Sequence, residues 1–337
     1  MTATARTRRA RVLLISALVL LAVAVLLSLG VGARPVAPST VWDALFHADA
    51  ADPDHIVVLT QRVPRTVIGV LAGAALAVAG AVMQGLTRNP LADPGLLGIN
   101  AGASVAVLAA ITLLGIVSPS GFVWFAFAGA AIAAVLVAVI GSRGPDGANP
   151  AKLALTGAAV TAGLTAISML ILTTQTVALE VYRYWSVGAL TARGFDTVAM
   201  VLGPIVLGFA LAAASVRGLN LMALGDDTAR GLGHDVSRTR GIGIAAAVLL
   251  CGGATAIAGP IMFLGLMVPH AVRAVVGDDY RWLVAIGVPL GAAVLLFADV
   301  IGRVIALPGE VQAGIVVAFV GAPVLIALVL RRRQVTL

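Results

Sequence analysis

Apolar segments close to twenty residues long recur along the whole chain, and short polar connections separate them. A helix that crosses a lipid bilayer needs about 20 predominantly apolar residues, so each segment is predicted to span a membrane. The eighth segment is the shortest and contains Pro269. The pattern predicts ten spans, at residues 12–31, 64–85, 95–115, 122–140, 152–172, 197–216, 241–257, 262–276, 282–302 and 311–330.

The composition argues against a soluble fold. Of the 337 residues, 60% are hydrophobic and only 11% are charged, and the mean hydropathy is +1.07. Soluble domains carry about 25% charged residues, so this chain lacks the polar side chains that would cover its surface in water. Length alone would favour two soluble domains. The hydropathy instead favours one all-α, polytopic membrane domain over residues 1–337.

The distribution of arginine predicts the orientation. With ten spans both termini lie on the same side, and placing them in the cytoplasm puts sixteen of the 22 basic residues on that side. Cytoplasmic connections of membrane proteins carry an excess of Lys and Arg, which supports this choice. The long outside connections are residues 32–63 and 173–196. The arginines assigned to the outside are Arg34, Arg62, Arg65, Arg183, Arg193 and Arg303.

The start of the chain has two interpretations. Arginines between Arg6 and Arg11 followed by an apolar run are typical of a cleaved signal peptide. The run from Val12 to Val31 is longer than the apolar core of such a peptide, and no small-x-small cleavage site follows within reach. A retained membrane helix is therefore favoured.

The second span carries small residues at every fourth position. This spacing places them along one face of a helix, where they allow the backbones of neighbouring helices to approach closely in lipid. Gly and Ala are abundant in this chain and some such series arise by chance, but five in line favour a central helix surrounded by protein. The stripe consists of Gly69, Gly73, Ala77, Ala81 and Gly85.

Sequence motifs for enzymatic chemistry are missing. The chain has no G-x-x-x-x-G-K-[ST] phosphate loop, and its only lysine is Lys152. Its four histidines lack the spacing of metal ligands, and Cys251 is the only cysteine. No metal, cofactor, catalytic residue or nucleic-acid partner is predicted. Asp299 is the best candidate for a proton relay, but Arg303 lies four residues later, where the two side chains can pair on one helical face.

One polar segment, RGLNLMALGDDTARGLGHDVSRTR at residues 217–240, interrupts the apolar pattern on the predicted cytoplasmic side. Gly225 favours a bend, and Asp226 and Asp227 favour the start of a helix. Ala229 and Leu232 would give the segment a small apolar face. The pattern predicts two very short helices with a bend at Gly225. The residues alone leave open whether the segment is a docking element or an ordinary solvated loop.

Several motifs, in order and correctly spaced, resemble the permease subunits of type II ABC importers for iron–siderophore, haem and cobalamin complexes, the FecCD family. They include RVPRTVIGVLAGAALAVAGAVMQGLTRNPLADPGLLGINAGA at 62–103, LALTG at 153–157, YWSVGAL at 184–190 and ALGDDTARGLG at 223–233. Further motifs are AGPIMFLGLMVPHAVRAVVGDDYRW at 258–282, ADVIGR at 298–303 and PGEVQAGIVVAFVGAP at 308–323. Two departures are Asp226, where the family usually has Glu, and Val311–Ala313, where many relatives have a proline-containing stretch.

The resemblance implies ten helices per subunit and a pair of permease subunits, either identical or related. It also implies a cytoplasmic ABC ATPase dimer, which would bind the ATP and Mg, and an extracytoplasmic substrate-binding protein. The residues that it assigns to docking of the binding protein are Arg62, Arg65 and Arg303. Those that it assigns to coupling with the ATPase are Leu224, Gly225, Asp226, Asp227, Ala229, Arg230 and Gly233.

The resemblance favours an iron–siderophore complex as the cargo, ahead of haem and cobalamin. The sparse membrane charges agree with a large chelate, since a bare metal ion would require carboxylate or imidazole ligands. A stand-alone secondary carrier is the alternative of a different class. The scarcity of carboxylates within the spans and the polar segment at 217–240 both disfavour it.

Overall fold

The structure, a computed structural model, describes residues 3–32, 34–143, 150–191 and 193–333. Residues 33 and 192 of the two predicted outside connections, residues 144–149 and both chain ends lie outside the described residues. The described part is all-α and contains no strand. Its helices are α1 (Ala3–Gly30), α2 (Pro38–Phe46), α3 (Pro53–Val57), α4 (Val63–Thr87), α5 (Ile99–Leu114), α6 (Pro119–Ser142), α7 (Pro150–Thr174), α8 (Thr176–Ser186), α9 (Phe195–Met222), α10 (Asp226–Gly231), α11 (Val236–Ala258), α12 (Leu264–Val276), α13 (Tyr280–Ile305) and α14 (Ala313–Arg333).

The ten predicted spans correspond to ten apolar helices. By length and composition, seven described helices can cross a membrane, and three further apolar helices, α5, α12 and α14, are shorter. The largest boundary difference is at the first helix, which begins at Ala3 and not at residue 12. Around the polar segment, α9 continues to Met222 and α11 already begins at Val236. The all-α multi-pass architecture predicted from the sequence is therefore confirmed.

The predicted outside connections are partly helical. Residues 32–63 contain α2 and α3, each of which begins at a proline, and a π-helical turn at Val58–Arg62 that leads into α4. Proline suits the first position of a helix, where its missing N–H is not needed. Residues 173–196 contain α8. The end of the bundle that holds these elements is called the loop end below, and the end that holds α10 and the first residues of α1 is called the terminal end.

The small-residue stripe of α4 faces α13. A Cβ atom added to Gly73 would lie 2.5 Å from the carbonyl oxygen of Gly291, and one added to Gly69 would lie 2.5 Å from a side-chain carbon of Leu296. At the terminal end of the stripe, Gly85 lies against the ring of Tyr280. The two backbones can approach this closely only because the stripe has no large side chains.

A second close contact lies on another face of α4 and was not expected from the stripe. A Cβ atom added to Gly80 would lie 1.9 Å from the carbonyl oxygen of Gly265, in the first turn of α12. The helix is thus surrounded by protein on several sides, and most of its residues are buried. By contrast, α1 and α7 are largely exposed in the single chain. The core of the bundle is therefore built around α4.

Candidate functional site

The polar segment at the terminal end forms one short helix, α10, between two glycine hinges. Gly225 has φ +105° and Gly233 has φ +77°, in the region that favours glycine. The prediction of two short helices is wrong, since residues 217–222 continue α9 and Asp235 caps α11 by accepting a hydrogen bond from the N–H of Arg238. The bend at Gly225 and the end of the helix near Gly231 agree with the sequence. Leu224–Gly233 is called the coupling segment below.

The apolar surface of the coupling segment differs from the predicted one. Ala229 is fully buried and packs with Met222 and Val236, so it anchors α10 to the ends of α9 and α11. Leu224 and Leu232 are 62% and 63% exposed. The apolar face available to a partner therefore consists of the two leucines at the ends of the segment. Ala229 lies on the side that packs against the bundle.

The two carboxylates of the coupling segment have different environments. Asp226 Oδ2 lies 2.6 Å from Nη2 of Arg240, and Asp226 Oδ1 lies 3.7 Å from Nη2 of Arg88. The side chain of Asp227 is fully exposed, and its Oδ1 accepts a hydrogen bond of 3.0 Å from Arg230 of the same helix. Asp226 thus connects α10 to α11 and to the end of α4, whereas Asp227 and Arg230 face outward.

At the loop end, the arginines predicted to dock a binding protein are brought together but point inward. Arg62, Arg65 and Arg303 are all buried, and so is Asp299. Docking on a partner would require exposed guanidinium groups, whereas the single chain buries all three. The physical reason is that α4 and α13 pack closely here, so buried guanidinium groups must find partners within the protein.

Asp299 is the centre of this cluster. It accepts hydrogen bonds from Nε of Arg303 at 3.0 Å, which confirms the predicted pairing, and from Nε and Nη2 of Arg65 at 2.9 and 2.8 Å. Arg65 Nη1 also donates to Glu310 at 2.8 Å. Arg62 makes no salt bridge with a carboxylate of the described residues, and its Nη1 donates to the carbonyl oxygens of Leu29 and Gly30. The cluster therefore connects α1, α4, α13 and the segment before α14.

A cavity of about 450 Å³ lies beside this cluster, between the π-helical turn and the connection from α8 to α9. Its polar lining includes Thr60, Gln61, Arg65, Thr191 and Arg193. Arg193 Nη1 has no hydrogen-bond partner among the described residues. Burial lowers the pKa of the Arg193 guanidinium to about 10, so the group stays protonated at neutral pH. Sequence reasoning assigned Arg193 to this end of the protein but gave it no role.

Within the part of the chain that the structure describes, no group of three or more His, Cys, Asp or Glu side chains could hold a metal ion.

The contacts that the sequence did not predict are those of Arg65 with Asp299 and Glu310, and that of Asp226 with Arg240. All of them join side chains from different segments of the chain, and none has the i, i+3 or i, i+4 spacing of neighbours on one helix. Only the i, i+4 pair of Asp299 and Arg303 left a signal in the sequence.

Comparison with known proteins agrees with this architecture. The model of the FecCD transport family matches residues 20–331. The ferric enterobactin transport system permease protein FepD of Escherichia coli is 46% identical over 94% of both chains. The iron(3+)-hydroxamate import system permease protein FhuB of Bacillus subtilis is 39% identical over 98% of this chain and 86% of its own.

A solved structure is similar over nearly the full length. It is a metal-chelate type ABC transporter in an inward-facing conformation, with a TM-score of 0.82 and 25% identity over 94% of this chain and 98% of that chain. The family model, which matches residues 20–331, spans both the coupling segment and the arginine cluster. The family model, the two relatives and this fold agree, and the chain belongs to the FecCD transport family.

Proposed function

We propose that this chain is the permease subunit of an ABC importer and passes an iron–siderophore complex into the cytoplasm. The observation that carries the proposal is the 46% identity, over 94% of both chains, to a permease named for ferric enterobactin transport. The sequence has no phosphate-binding loop, so ATP hydrolysis is assigned to a separate ATPase and this chain is not an enzyme.

The terminal end is assigned to the cytoplasm. It carries most of the arginines, in agreement with the positive-inside rule, and α1 begins and α14 ends at this side of the bundle. The ATPase dimer is proposed to dock on the coupling segment, where Leu224 and Leu232 are exposed next to the outward-facing pair of Asp227 and Arg230. Two apolar anchors flanked by charges fit a groove on a soluble partner better than they fit lipid.

A second permease subunit, identical or related, is proposed to pack against α7. The middle of the exposed face of this helix carries small side chains, which suit close contact between helices, and larger exposed residues such as Leu155 and Leu170 lie towards its ends. A Cβ atom added to Gly163, in the middle of this face, would meet no atom within 4 Å in the single chain. The exposed residues of the face include Ala158, Ala162, Gly163, Thr165 and Ala166.

The extracytoplasmic binding protein is proposed to dock at the loop end. Because Arg62, Arg65 and Arg303 are buried, the contact open to a partner is the one between Arg65 and Glu310, whose side chain is 28% exposed. A carboxylate of the binding protein would compete with Glu310 for Arg65 Nη1, while Asp299 continues to hold Nε and Nη2 of the same guanidinium.

Glu310→Gln is therefore expected to strengthen binding of the binding protein. Such a partly exposed ion pair is worth about 0.2–1 kcal/mol, which corresponds to a gain in affinity of up to about fivefold. The gain should appear mainly in the association rate and shrink at high salt. Binding to the permease complex in nanodiscs would measure it. Asp196→Asn, which removes an exposed carboxylate near the same end, is the control. Equal effects of the two variants would contradict a role for the contact of Arg65 with Glu310.

The cargo is proposed to be a large chelate because no described cluster could replace a chelator around bare iron. Haem and cobalamin are the alternative cargoes, and a secondary carrier is the alternative mechanism. The internal neutralisation of Asp299 by two arginines argues against a free carboxylate for proton coupling.

Uptake by a deletion strain tests the function directly. The strain should lose uptake of a radiolabelled ferric siderophore and keep uptake of haem and cobalamin, and the intact gene should restore it. Orthovanadate, which blocks ABC ATPases, should abolish the restored uptake. Normal siderophore uptake together with lost cobalamin uptake would overturn the cargo, and vanadate-insensitive uptake would favour the secondary carrier.

A further inference from the structure

We propose that Asp226 is a positioning residue that transmits movement of the coupling segment to the membrane helices, through its hydrogen bond with Arg240 of α11 and its longer ionic contact with Arg88 at the end of α4. The inference rests on the proposed function as an ABC importer permease. It separates two tasks within the coupling segment. Leu224 and Leu232 would hold the ATPase, and the carboxylate of Asp226 would pass its motion on.

The position of Asp226 suits this task. It is the first residue of α10 and follows the hinge at Gly225. Its side chain and that of Arg240 are each only 17% exposed, and their contact is 2.6 Å long. Charged hydrogen bonds of this length and burial are stronger and less screened by salt than surface pairs. The carboxylate is therefore held on the inner side of α10, away from the surface that a partner would touch.

The other attachments of α10 are weak. Its buried apolar contact is the methyl group of Ala229 against Met222 and Val236. A single methyl group buries little apolar surface, and glycines with positive φ lie at both ends of the segment. The side-chain packing of α10 against the bundle is thus limited to Ala229 and to the contacts of Asp226. The ionic contacts of Asp226 therefore determine which membrane helices move together with the coupling segment.

Arg88 and Arg240 lie at positions from which a movement of Asp226 would reach several membrane helices. Arg88 forms the C-cap of α4 and has φ +50°, in the left-handed region that is uncommon for a non-glycine residue. The same helix contacts α13 through Gly73 and α12 through Gly80 at backbone distance. A displacement of its end would therefore move α12 and α13 with it. Arg240 lies in the second turn of α11, which packs against both α4 and α9.

The test uses the complete importer reconstituted in vesicles with its ATPase and its binding protein, and measures cargo transported per ATP hydrolysed. Asp226→Asn and Arg240→Gln are each expected to lower this ratio about tenfold, the size of a typical coupling between sites. The double variant should be no worse than the poorer single variant, because both changes remove the same contact. Asp226→Glu and Arg240→Lys keep the charges and should keep most of the coupling.

Arg238→Gln is the matched control, since Arg238 is exposed and lies two residues before Arg240 on the same helix. It should leave the ratio unchanged. A Leu224→Asp, Leu232→Asp variant should instead lose the ATPase during purification, which separates docking from transmission. The ATPase should remain bound to Asp226→Asn and to Arg240→Gln.

Three results would overturn the inference. They are a normal ratio in Asp226→Asn, release of the ATPase by that variant, and losses that multiply in the double variant. If the unchanged protein showed no ATP-dependent uptake at all, the proposed function would fail before this question arose. If Asp226→Asn failed to accumulate, Arg240→Gln measured against Arg238→Gln would decide the question from the other side of the contact.

Discussion

Asp299→Asn is expected to destabilise the folded permease by roughly 3–5 kcal/mol, the cost of removing one partner from a buried ion pair. The change removes a fully buried carboxylate that binds both Arg65 and Arg303. Asn has the same shape but no charge, so two buried guanidinium groups would lose their common counterion. Glu310 could still bind Arg65, but no other carboxylate of the cluster makes a salt bridge with Arg303.

The measurement is thermal unfolding of the purified protein in detergent. The fraction of protein that remains monodisperse is recorded as the temperature rises. Glu310→Gln is the control, because it removes a partly exposed carboxylate from the same cluster. It should cost no more than about 1 kcal/mol. Equal transition temperatures for Asp299→Asn and the unchanged protein would mean that the cluster does not hold the loop end together.

Gly80→Ala is expected to destabilise the contact between α4 and α12 by roughly 3 kcal/mol, at the upper end of the usual cost of overpacking. The added methyl carbon would lie 1.9 Å from the carbonyl oxygen of Gly265 and 2.4 Å from its Cα atom. Both atoms belong to the backbone, so no side-chain rotation can relieve the overlap. The two helices would have to move apart, and transport should fall with the amount of folded protein.

Gly203→Ala is the matched control for this substitution. Gly203 lies in α9, is exposed, and has no atom within 4 Å of an added Cβ. Alanine also forms helices better than glycine, so this variant should be neutral or slightly more stable. Unchanged folding of Gly80→Ala, measured in the same unfolding assay, would show that α4 and α12 do not require this close approach.

The sequence could predict only a small part of the contacts that these two substitutions test. A contact between Asp299 and Arg303 follows from their spacing on one helix, but Arg65 lies 234 residues away from Asp299 in the chain. Nothing local indicates which arginine reaches this carboxylate. Gly80 likewise lies outside the small-residue stripe of α4, and its partner Gly265 belongs to another helix. Long-range contacts of this kind depend on how complete helices pack.

The sequence by itself determined the class, the ten apolar helices, the hinge at Gly225 and the family. The physical reason is that hydropathy, helical spacing and the positive φ that glycine allows are local properties, which a linear pattern records. Tertiary structure alone decided that Arg62, Arg65 and Arg303 point inward, that Ala229 is buried, and that Asp226 binds Arg240. The direction and partner of a side chain at a helix end depend on which neighbours the packed bundle supplies, because a buried charge is stable only where another helix brings its counterion.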